Sequence, residues 1–270
     1  MDLNYLSRIT DAIEEIRKAG LSLKPKQSIS IVLSSNTTDF TTKFCPQIYL
    51  DKDEKYEMAL VRLETYYSFY NIENTNNVFK YSPNKGDNWY TFTIPEGIYE
   101  INRVNDEIQE VMKENSHWNS TSDEGYISIE PDFGTLRAII NITHPDYIVD
   151  FNVTNSIRSI LGFNAVQIGK GKHKGDKIVN ILSINSILVN CSIIGVSYVD
   201  GTKQPTIYSF FPAVEPGMKI IETPNHLVYL PLPDFTDVIS NIRIWLTDQN
   251  GKILNLRGEN VTIRFEIRQA

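Results

Sequence analysis

Two stretches near the C-terminal end of this 270-residue chain alternate apolar and polar side chains with a period of two. In residues 241–247, Ile242, Ile244 and Leu246 share one parity and Arg243 and Trp245 the other. In residues 261–267, Val261, Ile263, Phe265 and Ile267 alternate with Thr262, Arg264 and Glu266. Successive side chains of an extended strand point to opposite faces, so this pattern specifies strands with one face buried and one in water. Between them, Asp248-Gln-Asn-Gly251 reads as a hairpin turn, because Asn-Gly readily takes the positive φ pair that such turns need.

The rest of the chain is mostly of the same kind. Strands are expected over residues 56–69, 78–81, 89–94, 126–130, 135–142 and 147–151, and again over 206–211, 218–222 and 226–230. Residues 178–199 are apolar enough for two strands or one bent one. Turn chemistry separates them: residues 82–88 form a Pro/Asn/Gly loop, and Asp132-Phe133-Gly134 closes a hairpin. Helical spacing appears in three places. Leu6, Ile9, Ile13 and Ile16 predict a helix over the first twenty residues, stopped at Gly20. Ile101, Val104, Ile108, Val111 and Met112 predict another over residues 102–114, and 155–161 a short one ended by Gly162. Ten to twelve strands with one buried face imply a mainly β sandwich or barrel. The organisation expected is an N-terminal helix or arm (1–20) and a β-sandwich (21–270), with a possible inserted subdomain at about 98–175.

Composition narrows the functional classes. A net charge of −7 argues against coating nucleic acid, whose phosphates demand a basic face. Cys45 and Cys191 alone are too few for a secreted disulfide scaffold, and the amphipathic N-terminus contains no apolar run suited to a signal peptide or a membrane span. Six Asn-x-Ser/Thr sequons, among them Asn141, Asn190 and Asn260 in or beside expected strands, are therefore read as unused in a reducing compartment.

No catalytic, cofactor-binding or metal-ligating residues are assigned. Gly169, Gly171 and Gly175 lack the strand-then-helix setting of a phosphate-binding loop. The same segment, with Lys170, Lys172, His173, Lys174 and Lys177, reads as a flexible basic loop in solvent. Lys174-Gly175-Asp176 resembles a receptor-binding tripeptide, but three residues match too easily to count. His117, His144, His173 and His226 show no metal-ligand spacing, and His144-Pro145-Asp146 is turn chemistry. Arg257-Gly258-Glu259 is a turn before the last strand, with Arg257 open to an interface role.

Several runs together resemble a known family. Residues 49–61 (Tyr-Leu-Asp-Lys-Asp-Glu-Lys-Tyr-Glu-Met-Ala-Leu-Val), 94–101 (Ile-Pro-Glu-Gly-Ile-Tyr-Glu-Ile), 159–163, 187–194 and 255–264 are similar in order and spacing to the minor capsid, or penton, proteins of Maverick/Polinton elements and the related adintoviruses. The resemblance covers residues 45–268. It implies a jelly-roll β-sandwich, to which the residue pattern above adds an α/β insertion and an N-terminal helix outside the resembling residues. The implied role is structural and non-enzymatic: a homopentamer at the fivefold vertices of an icosahedral capsid, ringed by double-jelly-roll major capsid protein, with a host receptor as a further partner. Its place is the virion, assembled in the host nucleus or cytoplasm and not secreted, with no cofactor, no nucleic-acid contact and no membrane span. It assigns no interface residues.

Two rivals stand beside it: a β-sandwich that recognises carbohydrate or a cell-surface receptor, and a jelly-roll enzyme with a metal in its barrel. The scarcity of histidine weighs against the enzyme.

Overall fold

The computed structural model describes residues 27–270, apart from Val196 and Phe235, together with Ile13. The helix expected over the first twenty residues thus lies outside the described residues. From residue 27 the described part begins with three long strands, β1 (Ser28–Ser35), β2 (Asp39–Tyr49) and β3 (Tyr56–Tyr66). An excursion follows, with β4 (Val78–Ser82), β5 (Tyr90–Thr93) and helix α1 (Ile101–Glu114). The pair β6 (Trp118–Asn119) and β7 (Glu124–Gly125) leads to β8 (Ile127–Asp132), β9 (Arg137–Ile142) and β10 (Ile148–Asp150). Helix α2 (Arg158–Leu161), β11 (Gln167–Ile168) and β12 (Gly171–Lys174) complete the excursion. The chain then continues as β13 (Ile187–Cys191), the small hairpin of β14 (Ser197–Val199) and β15 (Thr202–Gln204), and β16 (Thr206–Phe210). Last come β17 (Lys219–Glu222), β18 (Leu230–Pro231), β19 (Val238–Thr247) and β20 (Val261–Gln269).

Two antiparallel sheets carry the first and last parts of the chain. One has the order β1-β20-β3-β17, with β18 also on β3; the other has the order β16-β13-β19-β2. The chain therefore passes repeatedly from one sheet to the other, and the last strand lies beside the first, Ser28 opposite Arg268. That is the jelly-roll arrangement: two Greek keys wrapped into a sandwich. Inward side chains of both sheets, including Leu33, Met58, Leu63, Val189, Ile244, Ile263 and Phe265, meet in one core. Burial of such apolar faces is the main favourable term in holding two sheets together.

The alternation at residues 261–267 holds through β20, and at 241–247 through β19. The hairpin joining them does not form. The turn itself is present: the Asp248 N–H donates to the Lys252 carbonyl at 2.9 Å, and Gly251 has φ 80°. After it only Thr247 and Ile253 bridge. Leu254 and Leu256 then plug the end of the sandwich core, and the chain crosses to the opposite sheet, so β19 pairs β2 and β13 while β20 pairs β1 and β3.

Other differences have equally local causes. The expected strand over 56–69 stops at Tyr66. Its alternation slips at Val61, where a bulge opposite Arg264/Phe265 inserts one residue and moves the inward set from Met58 and Leu60 to Leu63. Residues 178–199 form strand only at β13 and β14. The expected strand at 226–230 reduces to Leu230–Pro231. The helix expected over 155–161 keeps one turn, because Asn155 takes φ 55° outside the helical region. Strand β2 has no counterpart among the expected strands. It is an edge strand containing Pro46, and its inward Phe40, Phe44 and Ile48 are only half-buried, so its alternation is faint.

The excursion between β3 and β13 builds a second hydrophobic core. Sheets β11-β10-β4-β5 and β12-β9-β8 enclose Phe79, Tyr81, Ile127, Ile140 and Phe151, with Ile101, Val104, Ile108 and Met112 of α1 supplying one wall. Those four recur at three- and four-residue spacing, the signature of a helix with one apolar stripe. The connection back to β13 passes through two glycines: Gly162, with φ 77°, and Gly175 lie against the Lys177 and Leu161 carbonyls, too close for any Cβ.

Candidate functional site

The residues singled out in the sequence are placed apart from one another, and most are used in structure. The basic segment at 169–175 is not a loose loop: residues 171–174 are strand β12, paired with β9. Alternation decides this, since Lys172 and Lys174 face outward to Glu130 and Asp132 at 3.2 and 2.6 Å, while the half-buried His173 ring bonds the Gly169 carbonyl. Lys174, helped by the Thr135 hydroxyl, holds the Asp132 carboxyl well below the usual carboxylate range. Gly175 is buried and its N–H donates to the Ala138 carbonyl, so Lys174-Gly175-Asp176 is not presented as a recognition loop.

The histidines are also scattered. His144 Nδ1 accepts the Asp146 N–H, the turn chemistry expected of it, and His226 is exposed. His117 sits edge-on among Tyr81, Tyr90 and Tyr147, with Tyr81 Oη 2.8 Å from its Nδ1. Burial lowers the His117 pKa and pushes Tyr147 up to about 12. Cys191 lies in the sandwich core, where burial pushes its thiol up to about 12; Cys45 is exposed. A thiol held protonated is a poor nucleophile. Among the described residues no three His, Cys, Asp or Glu side chains converge as metal ligands.

Arg257 joins a cluster of charges. It follows Leu256 at the sandwich end and reaches the excursion, donating to Glu73 at 3.1 Å and Glu96 at 3.4 Å and stacking over Tyr70 at 4.0 Å. Lys252 pairs the second Glu73 oxygen at 2.9 Å. Beside this cluster lies a polar cleft of about 340 Å³ between the two cores, lined by Tyr70, Asn180, Asn185, Asp248 and Asn250 among others. Sequence reading missed Glu73 and Glu96. No periodicity marks them, and only the return of the chain through residues 252–257 brings cations to them.

The polar groups of the sandwich are likewise satisfied internally. Asn190 is 2% exposed; it accepts from the Thr206 hydroxyl at 2.7 Å and donates to the Trp245 carbonyl at 3.2 Å, which leaves its sequon no room for a glycan. Arg243 clamps Asp39 with two bonds of 2.8 and 2.7 Å across the β2–β19 pair. This bidentate geometry, the strongest form of such a bond, lowers the Asp39 pKa. No helix among the described residues is long and apolar enough to cross a membrane. Apolar side chains of the sandwich also stand in solvent, among them Val32, Tyr49, Tyr66, Tyr198, Met218 and Val228.

No family model matches the chain, and no curated protein does. Among solved structures it is similar to the mavirus penton protein, known from a crystal structure of its selenomethionine form. The match has a TM-score of 0.49 at 9% identity, over 90% of this chain and 100% of that one.

Proposed function

We propose that the chain is a non-enzymatic capsid protein of the penton type, which self-assembles as a homopentamer at the fivefold vertices of an icosahedral particle. The observation that carries this reading is where the family-like runs fall. Residues 49–61 lead into and form the first half of β3; 187–194 begin with β13; 255–264 lead into β20. Residues 94–101 enter α1, and 159–163 close α2. The resemblance therefore falls at the entries and ends of elements that frame both hydrophobic cores, and the sandwich they help to build is a jelly roll. In this reading the sandwich is the assembly unit, and the excursion at 67–186 is an inserted unit turned toward solvent, a receptor or neighbouring capsid subunits. Binding would rest on apolar burial between protomers, with double-jelly-roll major capsid protein as the outer partner.

The test is assembly. The purified chain is expected to sediment as a pentamer and to co-assemble with a double-jelly-roll capsid protein into particles carrying it at their vertices. A chain that stays monomeric at high concentration and joins no capsid shell would sink the reading.

The cleft beside Arg257 favours a second reading, a monomeric sandwich that recognises carbohydrate. Its carboxamides at Asn180, Asn185 and Asn250 are the donors and acceptors that sugar hydroxyls need. Saturable glycan-array binding by a monomer would support it over assembly.

A further inference from the structure

The outer face of the sheet β1-β20-β3-β17 has two halves that treat charge differently. Toward one end each charge has a partner. Arg268 donates to Glu57 at 2.7 Å and lies over the Tyr229 ring, whose hydroxyl donates to Glu266 at 2.7 Å, and the Ser28 hydroxyl holds the other Glu266 oxygen. Toward the other end the balance fails. Glu64 takes Arg62 at 2.7 Å and Lys219 at 2.9 Å. The exposed Arg264 stands beside them, and no carboxylate among the described residues comes within ion-pair reach of it. Three cations thus share one carboxylate, on a chain whose net charge is −7. Lys219, with Arg62 and Arg264 near it, holds the Glu64 carboxyl below its usual range.

The backbone puts the two arginines together. Arg264 of β20 lies directly opposite Arg62 of β3, and like charges at such a cross-strand pair repel. The bulge at Val61 creates the pair: Met58 and Leu60 face inward, and without the extra residue Arg62 would follow them into the core. Apolar side chains stand exposed on both sides of the cations. Val32 of β1 is opposite Arg264, Ile221 of β17 is opposite Glu64, and Tyr66 is opposite Lys219.

We propose that this half of the sheet docks an acidic segment of a partner protein, one with carboxylates between two apolar side chains. Carboxylates relieve the repulsion between Arg62 and Arg264, and a guanidinium grips them with two parallel bonds. Four strands spaced about 4.8 Å apart set Val32 and Ile221 about 14 Å from one another, which about four to five residues of extended chain span. An apolar side chain at each end of such a segment meets Val32 or Ile221, and the acidic residues between them lie over the arginines. A long polyanion fits less well, because Glu57, Glu222 and Glu266 border the cations and repel charge that continues along the sheet. The contact uses the face of the sheet and is independent of whether the chain forms a pentamer.

Fluorescence anisotropy of a labelled peptide, Gly-Leu-Glu-Glu-Glu-Leu-Gly, tests this on the full chain at low salt. Arg62→Gln and Arg264→Gln are each expected to weaken binding at least about tenfold. Lys43→Glu on β2 and Lys203→Glu on β15 should leave it unchanged. Peptides with Gln in place of Glu, or Ser in place of Leu, should bind more weakly. Arg264→Gln should leave the thermal midpoint unchanged or raised, which separates lost binding from lost folding. A wild-type chain that ignores the peptide overturns the proposal, as does binding that survives both arginine variants or falls equally with Lys43→Glu. A midpoint lowered by Arg264→Gln would reveal a partner for Arg264 within the chain and overturn it too. Heparin or an oligonucleotide held more tightly than the peptide, and released by the same two variants, would make the surface a polyanion site and overturn the protein partner.

Discussion

Arg257 Nη2 donates to Glu73 Oε1 at 3.1 Å, and through that bond the end of the jelly roll holds the excursion that interrupts it. The two residues are far apart in sequence, each about three-quarters buried, and each belongs to a different hydrophobic core's surroundings. A guanidinium that also pairs Glu96 and covers the Tyr70 ring is a fixed strut rather than a mobile surface charge.

Arg257→Ala is therefore expected to destabilise the protein by about 1–2 kcal/mol, because a charged hydrogen bond and a cation–π interaction disappear together. Arg257→Lys should restore only part of this, since an ammonium lacks the planar guanidinium whose separate nitrogens reach Glu73 and Glu96 and whose face covers Tyr70. Thermal melts of the two variants check the order; equal stability of all three proteins would show the strut to be idle.

Gly162 has a positive φ, and a Cβ there would collide with the Lys177 carbonyl; at Gly175 the nearest atom would be the Leu161 carbonyl oxygen at 2.8 Å. Neither obstacle is a flexible side chain. Gly162→Ala is expected to cost upwards of about 2 kcal/mol, combining backbone strain with a displaced strand connection. Denaturant titration of the variant measures it. Gly251→Ala is the comparison, with a positive φ but nothing near its Cβ position, and should cost clearly less.

Thr206→Val leaves the buried Asn190 carbonyl without its hydroxyl partner, at a cost of roughly 1–3 kcal/mol. The double variant Asn190→Leu/Thr206→Val removes both polar groups and should recover part of the loss. A double-mutant cycle in urea reads the coupling, and strictly additive losses would contradict it.

Acid should act in two windows. His117 is half-buried and neutral with a lowered pKa, so the unfolded chain takes up its proton first. Its contribution is complete above the unfolded value of about 6.5 and is lost as pH falls from there through the lower folded value. His117→Gln, which cannot titrate, should flatten the fall in thermal midpoint between neutral pH and pH ~5. Asp39 and Asp132 are also depressed, by Arg243 and Lys174. Their stabilisation is complete above about 3.9 and is lost as pH falls from there through the lower folded values, giving a second decline that His117→Gln leaves untouched.

Much of the fold was legible in the residues. The period-two runs of β19 and β20, the stripe of α1 and the turns at 132–134 and 248–251 all follow from local spacing and turn chemistry. The candidate site was hardly legible. Arg257 stood out only as a charge beside a glycine, and its carboxylate partners carry no pattern that links them to it. The basic segment misled because lysines in a short glycine-flanked run look solvated until Glu130 and Asp132 are placed opposite them.

Which side chains of residues 241–247 and 261–267 are buried follows from their order along the chain, because strand geometry turns alternate residues to one face whatever lies beyond it. Their partners do not follow from it. Asn250-Gly251 turns the chain as expected, yet β19 and β20 end in different sheets. Backbone pairing is generic, and the choice among possible neighbours falls to whichever packing encloses Leu254, Leu256 and the inward residues of both sheets in a single core. That choice belongs to the assembled sandwich as a whole.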